Sequence, residues 1–212
     1  MIEYPSIIAS SKAPRANCVA FDKLDGSNIR AKWTQKRGFD VFGTRTQLID
    51  ENTAFWKDAV IYFKEFLAEP LDNKFRKDSD YRNEREIIVY GEYFGEHSFA
   101  GVHDETEKRR IIVFDVMTGH KNRRFVGPKE FIKSFGELIE IPRVVYEGNL
   151  NDQLIADVRA GKYGVNEGVV CKGTIRTGAA RGGIWMAKIK TQAYFDRLNE
   201  KFGAEGIQKY GE

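Results

Sequence analysis

Apolar and polar residues alternate along several short stretches of the chain, a pattern typical of β-strands with one buried face. From Ile29 to Thr34 the alternation is regular, so Trp33 lies on one face of a predicted strand over residues 27–34 and Arg30 on the other, polar face. A turn at residues 36–38 and a second strand over residues 39–43 predict a β-hairpin.

Two further runs, residues 85–93 and 110–117, are apolar at consecutive positions. β-branched residues on both faces of a strand indicate a place in the middle of a sheet. Shorter strands are predicted over residues 18–21, 143–147, 166–174 and 185–191.

The clearest helix is predicted over residues 53–69, where apolar side chains recur at helical spacing. We expect Thr53 to cap this helix and Pro70 to end it. The apolar positions indicate core packing, not a cofactor site; they are Trp56, Val60, Phe63 and Leu67. Shorter helices are predicted over residues 128–138, 151–160 and 192–209.

Strands outnumber helices and are joined by turns as often as by helices. This predicts the α+β class, with mostly antiparallel sheets flanked by helices. The length fits a single domain over residues 1–212. Only about twenty residues follow Lys190, too few for an OB barrel, so no OB domain is expected.

Amino-acid composition and charge exclude few classes of protein. The net charge of +3 does not by itself indicate a nucleic-acid-binding protein. No apolar stretch reaches the length of a membrane span, and the N-terminus lacks the apolar core of a signal peptide. Cys18 and Cys171 each lie in a strand-like run and are expected to be buried, reduced thiols. The prediction is a cytoplasmic, monomeric protein.

The hexapeptide 23–28, Lys-Leu-Asp-Gly-Ser-Asn, follows the predicted strand 18–21 directly. A lysine attacks phosphorus or a carbonyl only as the neutral amine, and desolvation and nearby cations favour that form. Lys188 and Lys190 lie two residues apart on one face of a predicted strand and could be those cations. The alternatives are a solvated Asp-Gly turn at the hexapeptide and a solvated strand face for the lysine pair.

Five segments follow one another in a recognisable order: residues 23–28, then Tyr-Gly-Glu at 90–92, Val-Phe-Asp-Val at 113–116, Glu-Gly-Val-Val-Cys-Lys at 167–172 and Lys-Ile-Lys at 188–190. Together they resemble the covalent nucleotidyltransferase superfamily of polynucleotide ligases and mRNA capping enzymes. Within it the chain is most similar to the RNA ligase 2 group, which has Asn at the position of Asn28. The resemblance spans residues 15–195, almost the whole chain.

The resemblance implies that Lys23 is the nucleophile. Its amine would attack the α-phosphorus of ATP, form lysyl-AMP and release pyrophosphate. Lys188 and Lys190 would neutralise the triphosphate oxygens and help to keep the Lys23 amine neutral.

Other roles are implied in the same way: Glu92 would contact the ribose, Phe114 would stack on the adenine, and Glu167 would bind the metal. Phe114 is expected to share its strand face with Ile112 and Val116, so an ordinary core phenylalanine is the alternative. The remaining candidates for the nucleotide pocket are Asp22, Asp25, Gly26, Asn28, Arg45 and Lys172.

Glu167 and Lys172 are five positions apart and would face opposite sides of an ideal strand. Both reach one pocket only if Glu167 lies in the turn before the strand, which Gly168 permits. Asn28 and Arg45 match positions that the RNA ligase 2 group uses to orient phosphate or the polynucleotide ends. No Walker-type glycine loop is present, so lysines and metal would have to bind the phosphates.

The function implied is that of an ATP-dependent RNA ligase that uses Mg²⁺ or Mn²⁺. Its partner would be RNA with 5′-phosphate and 3′-OH ends, and a nicked duplex is one form of such a substrate. Three alternatives stay open. They are the core of a DNA nick ligase, a GTP-using capping guanylyltransferase, which usually has Arg in place of Asn28, and a non-catalytic RNA-binding module with the same fold.

Two further stretches of the chain are predicted to be loops. Residues 95–108 hold His97 and His103, which have no other ligand types at metal spacing and are expected to be solvated. Residues 178–183 form a glycine-rich connector. Arg176 and Arg181 near it are candidate RNA contacts.

Overall fold

The computed structural model describes residues 1–94, 108–175 and 183–210, and of residues 204–210 only the backbone. Within these ranges the chain forms eleven strands and five α-helices, in the order β1 (Ile8–Ala9), β2 (Asn17–Lys23), β3 (Ser27–Thr34), β4 (Gly38–Thr44), β5 (Leu48–Ile49), α1 (Lys57–Tyr62), α2 (Ala68–Lys77), β6 (Glu86–Phe94), β7 (Arg110–Thr118), β8 (Arg124–Phe125), α3 (Pro128–Phe135), β9 (Val144–Asn149), α4 (Asp152–Arg159), β10 (Gly168–Thr174), β11 (Ile184–Lys190) and α5 (Gln192–Tyr210). A short 3₁₀ helix (Ser10–Lys12) follows β1, and a π-helical turn (Phe63–Leu67) joins α1 to α2. No helix in these ranges is long and apolar enough to cross a membrane.

The chain divides into two compact units, each assembled from segments that alternate along the sequence. Unit 1 comprises residues 1–5, 26–126 and 130–141, and unit 2 comprises residues 6–25, 127–129 and 142–212. The single domain over residues 1–212 stays a prediction.

Unit 1 contains an antiparallel sheet with the strand order β5-β4-β3-β6-β7-β8. The two runs that are apolar at consecutive positions, β6 and β7, lie inside this sheet, as predicted. Trp33 on β3 is fully buried, and its indole Nε1 donates a hydrogen bond of 2.7 Å to Asp72 on α2. The ring of Trp33 meets Phe75 edge-on, with centroids 5.4 Å apart, which fixes α2 on this face of the sheet.

The prediction that Pro70 ends the helix is wrong. Pro70 is the third residue of α2, which runs on to Lys77. In the first turn of a helix the missing N–H of proline is not needed. The π-helical turn before it, in which the N–H of Ala68 bonds to the carbonyl of Phe63, provides the wider turn that a proline tolerates.

The predicted start of this helix is also wrong. Phe55 has φ +68, a left-handed conformation that no helix accepts, so α1 begins only at Lys57. The hydroxyl of Thr53 donates to Asp50 instead of capping a helix. Three of the four apolar positions are confirmed as core, since Val60, Phe63 and Leu67 are buried, whereas Trp56 is only half-buried.

Unit 2 contains a sheet with the order β1-β11-β10-β2-β9, antiparallel except for the parallel pair β1 and β11. One of its faces packs on α4 to form the core of this unit, whose members include Ala20, Leu154, Val169, Ala187 and Ile189. The fold class is therefore α+β with mostly antiparallel sheets flanked by helices, as predicted.

Both cysteines belong to this core and are free thiols, as expected. A hydrogen bond between them and the burial of the pair raise the pKa of the Cys171 thiol. The two thiols therefore act as small apolar side chains in this core.

The predicted strands agree with the structure to within two residues at each end. The two-residue strands β1, β5 and β8 were not predicted, because two residues carry no periodicity. The last helix was predicted as continuous, but Gly203 has φ +66 and interrupts α5.

Candidate active site

Three neighbouring strands of unit 2 bring the first and last of the sequence motifs into one row. Gly168 at the start of β10 pairs with Lys23 on β2 and with Lys190 on β11. Gly168 has φ +156, and a Cβ at this position would lie 2.0 Å from the carbonyl oxygen of Ile189. Glycine is therefore required where the three strands meet.

Glu167 links the two lysines of this row. Its Oε2 lies 2.6 Å from Lys23 Nζ and its Oε1 lies 3.1 Å from Lys190 Nζ. The side chains of Glu167 and Lys190 are 4% and 5% exposed, and that of Lys23 is 21% exposed. Glu167 directly precedes β10, the position that the sequence argument required.

The same face of the sheet carries two more lysines. On β10, Lys172 is four positions after Gly168, and on β11, Lys188 is two positions before Lys190, so each pair lies on one face of its strand. All four lysines therefore project from the side opposite the core of unit 2; they are Lys23, Lys172, Lys188 and Lys190. Lys172 is buried, with Nζ 5.1 Å from the centroid of the Phe21 ring. This face therefore gathers positive charge around the carboxylate of Glu167.

Burial lowers the pKa of Lys190, and the charges of Lys23 and Lys188 add to this shift, whereas Glu167 opposes it. Lys190 Nζ also lies 4.6 Å from the ring centroid of Tyr194 on α5. Burial, with the negative charges of Glu167 and Asp25, raises the pKa of Tyr194, so its hydroxyl stays neutral. An anionic ligand would be favoured here, because it would stabilise the charged form of a buried lysine.

Thr191 and Tyr194 support this site, and neither was predicted from the sequence. The Thr191 N–H donates to the carbonyl of Glu167 at 3.0 Å, and the Thr191 hydroxyl donates to the carbonyl of Asn166. Thr191 also accepts from the N–H of Tyr194 and thereby caps α5. A threonine before a helix is a recognisable capping signal, whereas nothing in the sequence places Tyr194 beside Lys190.

Asp22 lies on the other face of β2 from Lys23. Its nearest cation is Arg143, with Nη2 3.7 Å from Oδ2. Burial raises the pKa of Asp22, and Arg143 offsets part of the shift. Asp25 is half-buried.

In unit 1, Gly26 and Glu92 are in direct contact. The N–H of Gly26 donates to Glu92 Oε1 at 3.1 Å, and a Cβ on Gly26 would lie 2.6 Å from the carbonyl oxygen of Tyr93. Asn28 pairs with Glu92 across β3 and β6, so the two side chains share a face. Asn28 is half-buried, and its Oδ1 has no hydrogen-bond partner in the described parts of the chain.

Phe114 lies at a β-bulge of β7, opposite the step from Tyr90 to Gly91. The bulge breaks the alternation, so Phe114 does not share a face with Val116, which pairs with Val89. The expectation for Val116 is therefore wrong. Phe114 is half-buried, and its ring meets Tyr4 edge-on with centroids 5.0 Å apart.

Tyr4 is a third residue that was not predicted from the sequence. Its hydroxyl donates to the carboxylate of Asp115, next to Phe114, and its ring also contacts Tyr90. Burial and the charge of Asp115 raise the pKa of Tyr4. The N-terminal segment thus lies against the strands that carry Glu92 and Phe114.

Two arginines of unit 1 differ sharply in their surroundings. Arg45 is exposed in the turn after β4. Arg30 lies on the face of β3 opposite Trp33, as predicted, and is nevertheless only 4% exposed.

The structure thus brings Lys23, Glu167 and Lys190 into contact, and separately Gly26 and Glu92. The loop candidates His97, His103, Arg176 and Arg181 lie outside the described residues.

Within the described ranges no group of three or more His, Cys, Asp or Glu side chains is placed to hold a metal ion. Glu167 supplies a single buried carboxylate next to a cationic face. Mg²⁺ is commonly held by one or two carboxylates together with substrate phosphates. The residues present therefore fit a metal that binds together with a nucleotide.

Comparison with known proteins identifies the family of this chain. The sequence model of one family, described as RNA ligase, matches residues 16–190. No curated protein matches the chain. Solved structures of Naegleria gruberi RNA ligase share the fold at low identity. An apo mutant is 15% identical with a TM-score of 0.66, over 92% of this chain and 58% of that one.

A second mutant of the Naegleria gruberi enzyme, solved with ATP and Mn, is 17% identical with a TM-score of 0.66, over 94% of this chain and 59% of that one. The same protein with PPi is 15% identical with a TM-score of 0.64. This chain covers about 58% of the length of these solved structures. Since the family model covers most of this chain, the chain belongs to the RNA ligase family.

Proposed function

We propose that the chain is the adenylylation domain of an ATP-dependent RNA ligase, which joins 5′-phosphate and 3′-OH ends through lysyl-AMP on Lys23. The observation that carries this proposal is the contact of Lys23 and the buried Lys190 with one carboxylate, on a sheet face that holds four lysines. A strand face that only met solvent would not bury Lys190 and Glu167 almost completely.

In the first step, Lys23 Nζ attacks the α-phosphorus of ATP. The new bond joins nitrogen to phosphorus, the bond from the α-phosphorus to the bridging oxygen breaks, and pyrophosphate leaves. Lys188 and Lys190 would neutralise the charge that grows on the phosphate oxygens. Solved structures of Naegleria gruberi RNA ligase hold ATP and Mn in one case and PPi in another, which are the substrate and the leaving group of this step.

In the second step, an oxygen of the RNA 5′-phosphate attacks the phosphorus of lysyl-AMP, and the phosphorus–nitrogen bond breaks to release Lys23. In the third step, the 3′-OH attacks the phosphorus of the former 5′-phosphate. AMP leaves, and a phosphodiester bond joins the two ends.

Glu167 would hold the divalent metal, Mg²⁺ or Mn²⁺, together with phosphate oxygens of ATP. The metal, when bound, shields phosphate charge and polarises phosphorus. Before that, Glu167 accepts from Lys23 and Lys190 and so holds both amines beside the phosphate site.

The nucleoside would lie on the face of unit 1 that carries Glu92 and Phe114. We assign Glu92 to the ribose and Phe114 to stacking on the adenine, and Tyr4 supports the ring of Phe114 from the side. Asp22, Asp25, Gly26 and Lys172 remain candidates for the nucleotide pocket. Asn28 and Arg45 would orient phosphate or the RNA ends, as the family motif implies.

The partner in this proposal is RNA with 5′-phosphate and 3′-OH ends, including such ends at a nick in a duplex. We also propose that the protein is cytoplasmic and monomeric. Comparing nicked duplexes that carry RNA or DNA on the 3′-OH side separates this function from a DNA nick ligase.

Labelling with each α-labelled nucleoside triphosphate tests the proposal. With Mg²⁺ present, label from ATP should survive denaturation on the wild-type protein and be absent from Lys23→Ala. Lys162→Ala is the control, because Lys162 is an exposed lysine of unit 2 that pairs with Asp157. Label retained by Lys23→Ala would refute the nucleophile, and label from GTP in preference to ATP would indicate a capping enzyme.

A further inference from the structure

Arg30 is a buried arginine that lacks the partners a buried charge requires. It is 4% exposed, yet its Nε and Nη1 have no hydrogen-bond partner in the described parts of the chain. Taking a guanidinium out of water without pairing it is strongly unfavourable. An anionic oxygen from outside the described chain would supply what is missing.

The acidic groups nearest to Arg30 are engaged elsewhere. Glu92 accepts from the N–H of Gly26, and Asp115 accepts from the hydroxyl of Tyr4. Glu86, further along β6, pairs with Arg123 at 3.0 Å. Tyr90, directly opposite Arg30, donates its hydroxyl to the carbonyl of Ile2.

The space for the guanidinium comes from Gly43, the partner of Arg30 on β4. A Cβ on Gly43 would lie 2.8 Å from the carbonyl oxygen of Gln47, 3.0 Å from Met1 Cε and 3.1 Å from Arg30 Nε. Part of the cover at this point is therefore the flexible end of a methionine side chain, which can move aside for a ligand.

Arg30 and Asn28 are neighbours on one face of β3, about 7 Å apart along the strand. The Oδ1 of Asn28 is also buried and without a hydrogen-bond partner among the described residues. Arg45 follows β4 directly, in an exposed turn. Arg30 and Asn28 thus lie on β3, whereas Glu92 and Phe114 lie on β6 and β7.

We propose that Arg30 binds a phosphate of the RNA strand, with Asn28 beside it to meet a sugar hydroxyl. This rests on the proposed function, because that function assigns the β6–β7 side to the nucleoside of ATP and leaves the β3–β4 side for the second anionic substrate. A ribonucleotide offers both the phosphate oxygens that Arg30 lacks and a 2′-OH for Asn28.

The test measures binding of a short 5′-phosphorylated oligoribonucleotide by fluorescence anisotropy, at salt concentrations from about 50 to 200 mM, without ATP or metal. Arg30→Gln should weaken binding and reduce the slope of log K against log salt by about 0.7, the value for one lost contact to a single strand. Arg30→Lys should keep the slope. Lys36→Gln is the matched control, since it removes one exposed charge from the same hairpin.

A second measurement does not depend on any variant folding. In the wild-type protein, the Arg30 Nε–H resonance should shift when the oligonucleotide is added. An unmoved resonance, a wild-type protein that does not bind the oligonucleotide, or an Arg30→Gln variant with the wild-type slope would each overturn the proposal. A lower melting temperature with an unchanged slope would assign Arg30 to stability alone and overturn it too.

The two proposals fail separately. If Arg30→Gln reduces the salt slope but the wild-type protein never forms lysyl-AMP, the RNA contact is kept and the ligase function is rejected. Lysyl-AMP formation with an unaltered slope would keep the ligase and reject the contact.

Discussion

At the scale of single residues, Glu167 imposes a condition on the chemistry of the site. An ion pair favours the charged amine, whereas attack on phosphorus requires the neutral one. Glu167 must therefore turn away from Lys23 before the first step, and a cation held jointly with the nucleotide phosphates would compete for this carboxylate. The buried Lys190 remains beside Lys23 as the second lysine of this row.

Replacing either lysine of the β11 pair tests this condition. Lys190→Ala or Lys188→Ala should slow adenylylation by about 100-fold, the effect of losing one group that stabilises transition-state charge. The measurement is the rate of label transfer from ATP, with Lys162→Ala as control. An unchanged rate would show that the pair takes no part in the first step.

At the scale of elements, periodicity predicted most strands and helices, because most of the longer strands carry apolar residues at alternate or consecutive positions. The sequence also required Glu167 to precede its strand, which the register of Gly168 explains. Periodicity could not reveal the burial of Arg30, which depends on a glycine in the neighbouring strand and on the N-terminal residues. It likewise missed the bulge at Phe114, since a bulge leaves no trace in the alternation of a single strand.

Gly168 holds the β2–β10–β11 row together, and its replacement tests this. Gly168→Ala should lower the free energy of unfolding by about 3 kcal/mol or more, because the new Cβ would lie 2.0 Å from the carbonyl oxygen of Ile189 at φ +156. Gly183→Ala is the matched control just before β11, since nothing lies within 4 Å of a Cβ there. Urea unfolding compares the two variants. Equal stabilities would contradict the close approach.

The aromatic cluster around α2 and α3 predicts how unit 1 responds to alkali. Tyr81 packs on Phe75 and Phe135, with ring centroids 5.7 and 5.6 Å away, and burial raises the pKa of Tyr81 from 10.0 to about 12. Between these values the unfolded chain loses the proton and the folded chain keeps it, so stability falls as the pH rises.

In Tyr81→Phe, which keeps the ring, the free energy of unfolding should fall less steeply between pH 10 and 12 than in the wild-type protein. Denaturant titrations at several pH values measure the two slopes. Identical slopes would show that Tyr81 ionises equally in both states.

At the scale of the whole molecule, the proposed reaction separates into a step that needs only ATP and two steps that need RNA. The proposal divides the residues in the same way. It assigns Lys23, Glu167 and Lys190 to the step with ATP, and Arg30 and Arg45 to the contacts with RNA. A residue that contacts only RNA should therefore affect the later steps and leave the fold unchanged.

Arg45 offers the clearest test of this division, because it is exposed in a turn and its loss removes no buried contact. Arg45→Ala should reduce the sealing of a pre-adenylylated RNA strand by more than it reduces self-adenylylation, since an arginine that orients RNA ends takes no part in activating Lys23. The measurement is the ratio of the two rate losses. Arg37→Ala is the control, because Arg37 is exposed in the neighbouring turn, where it pairs with Asp40 at 2.6 Å. Equal losses in both steps would place Arg45 in the nucleotide pocket, and the RNA would then have to bind elsewhere on the molecule.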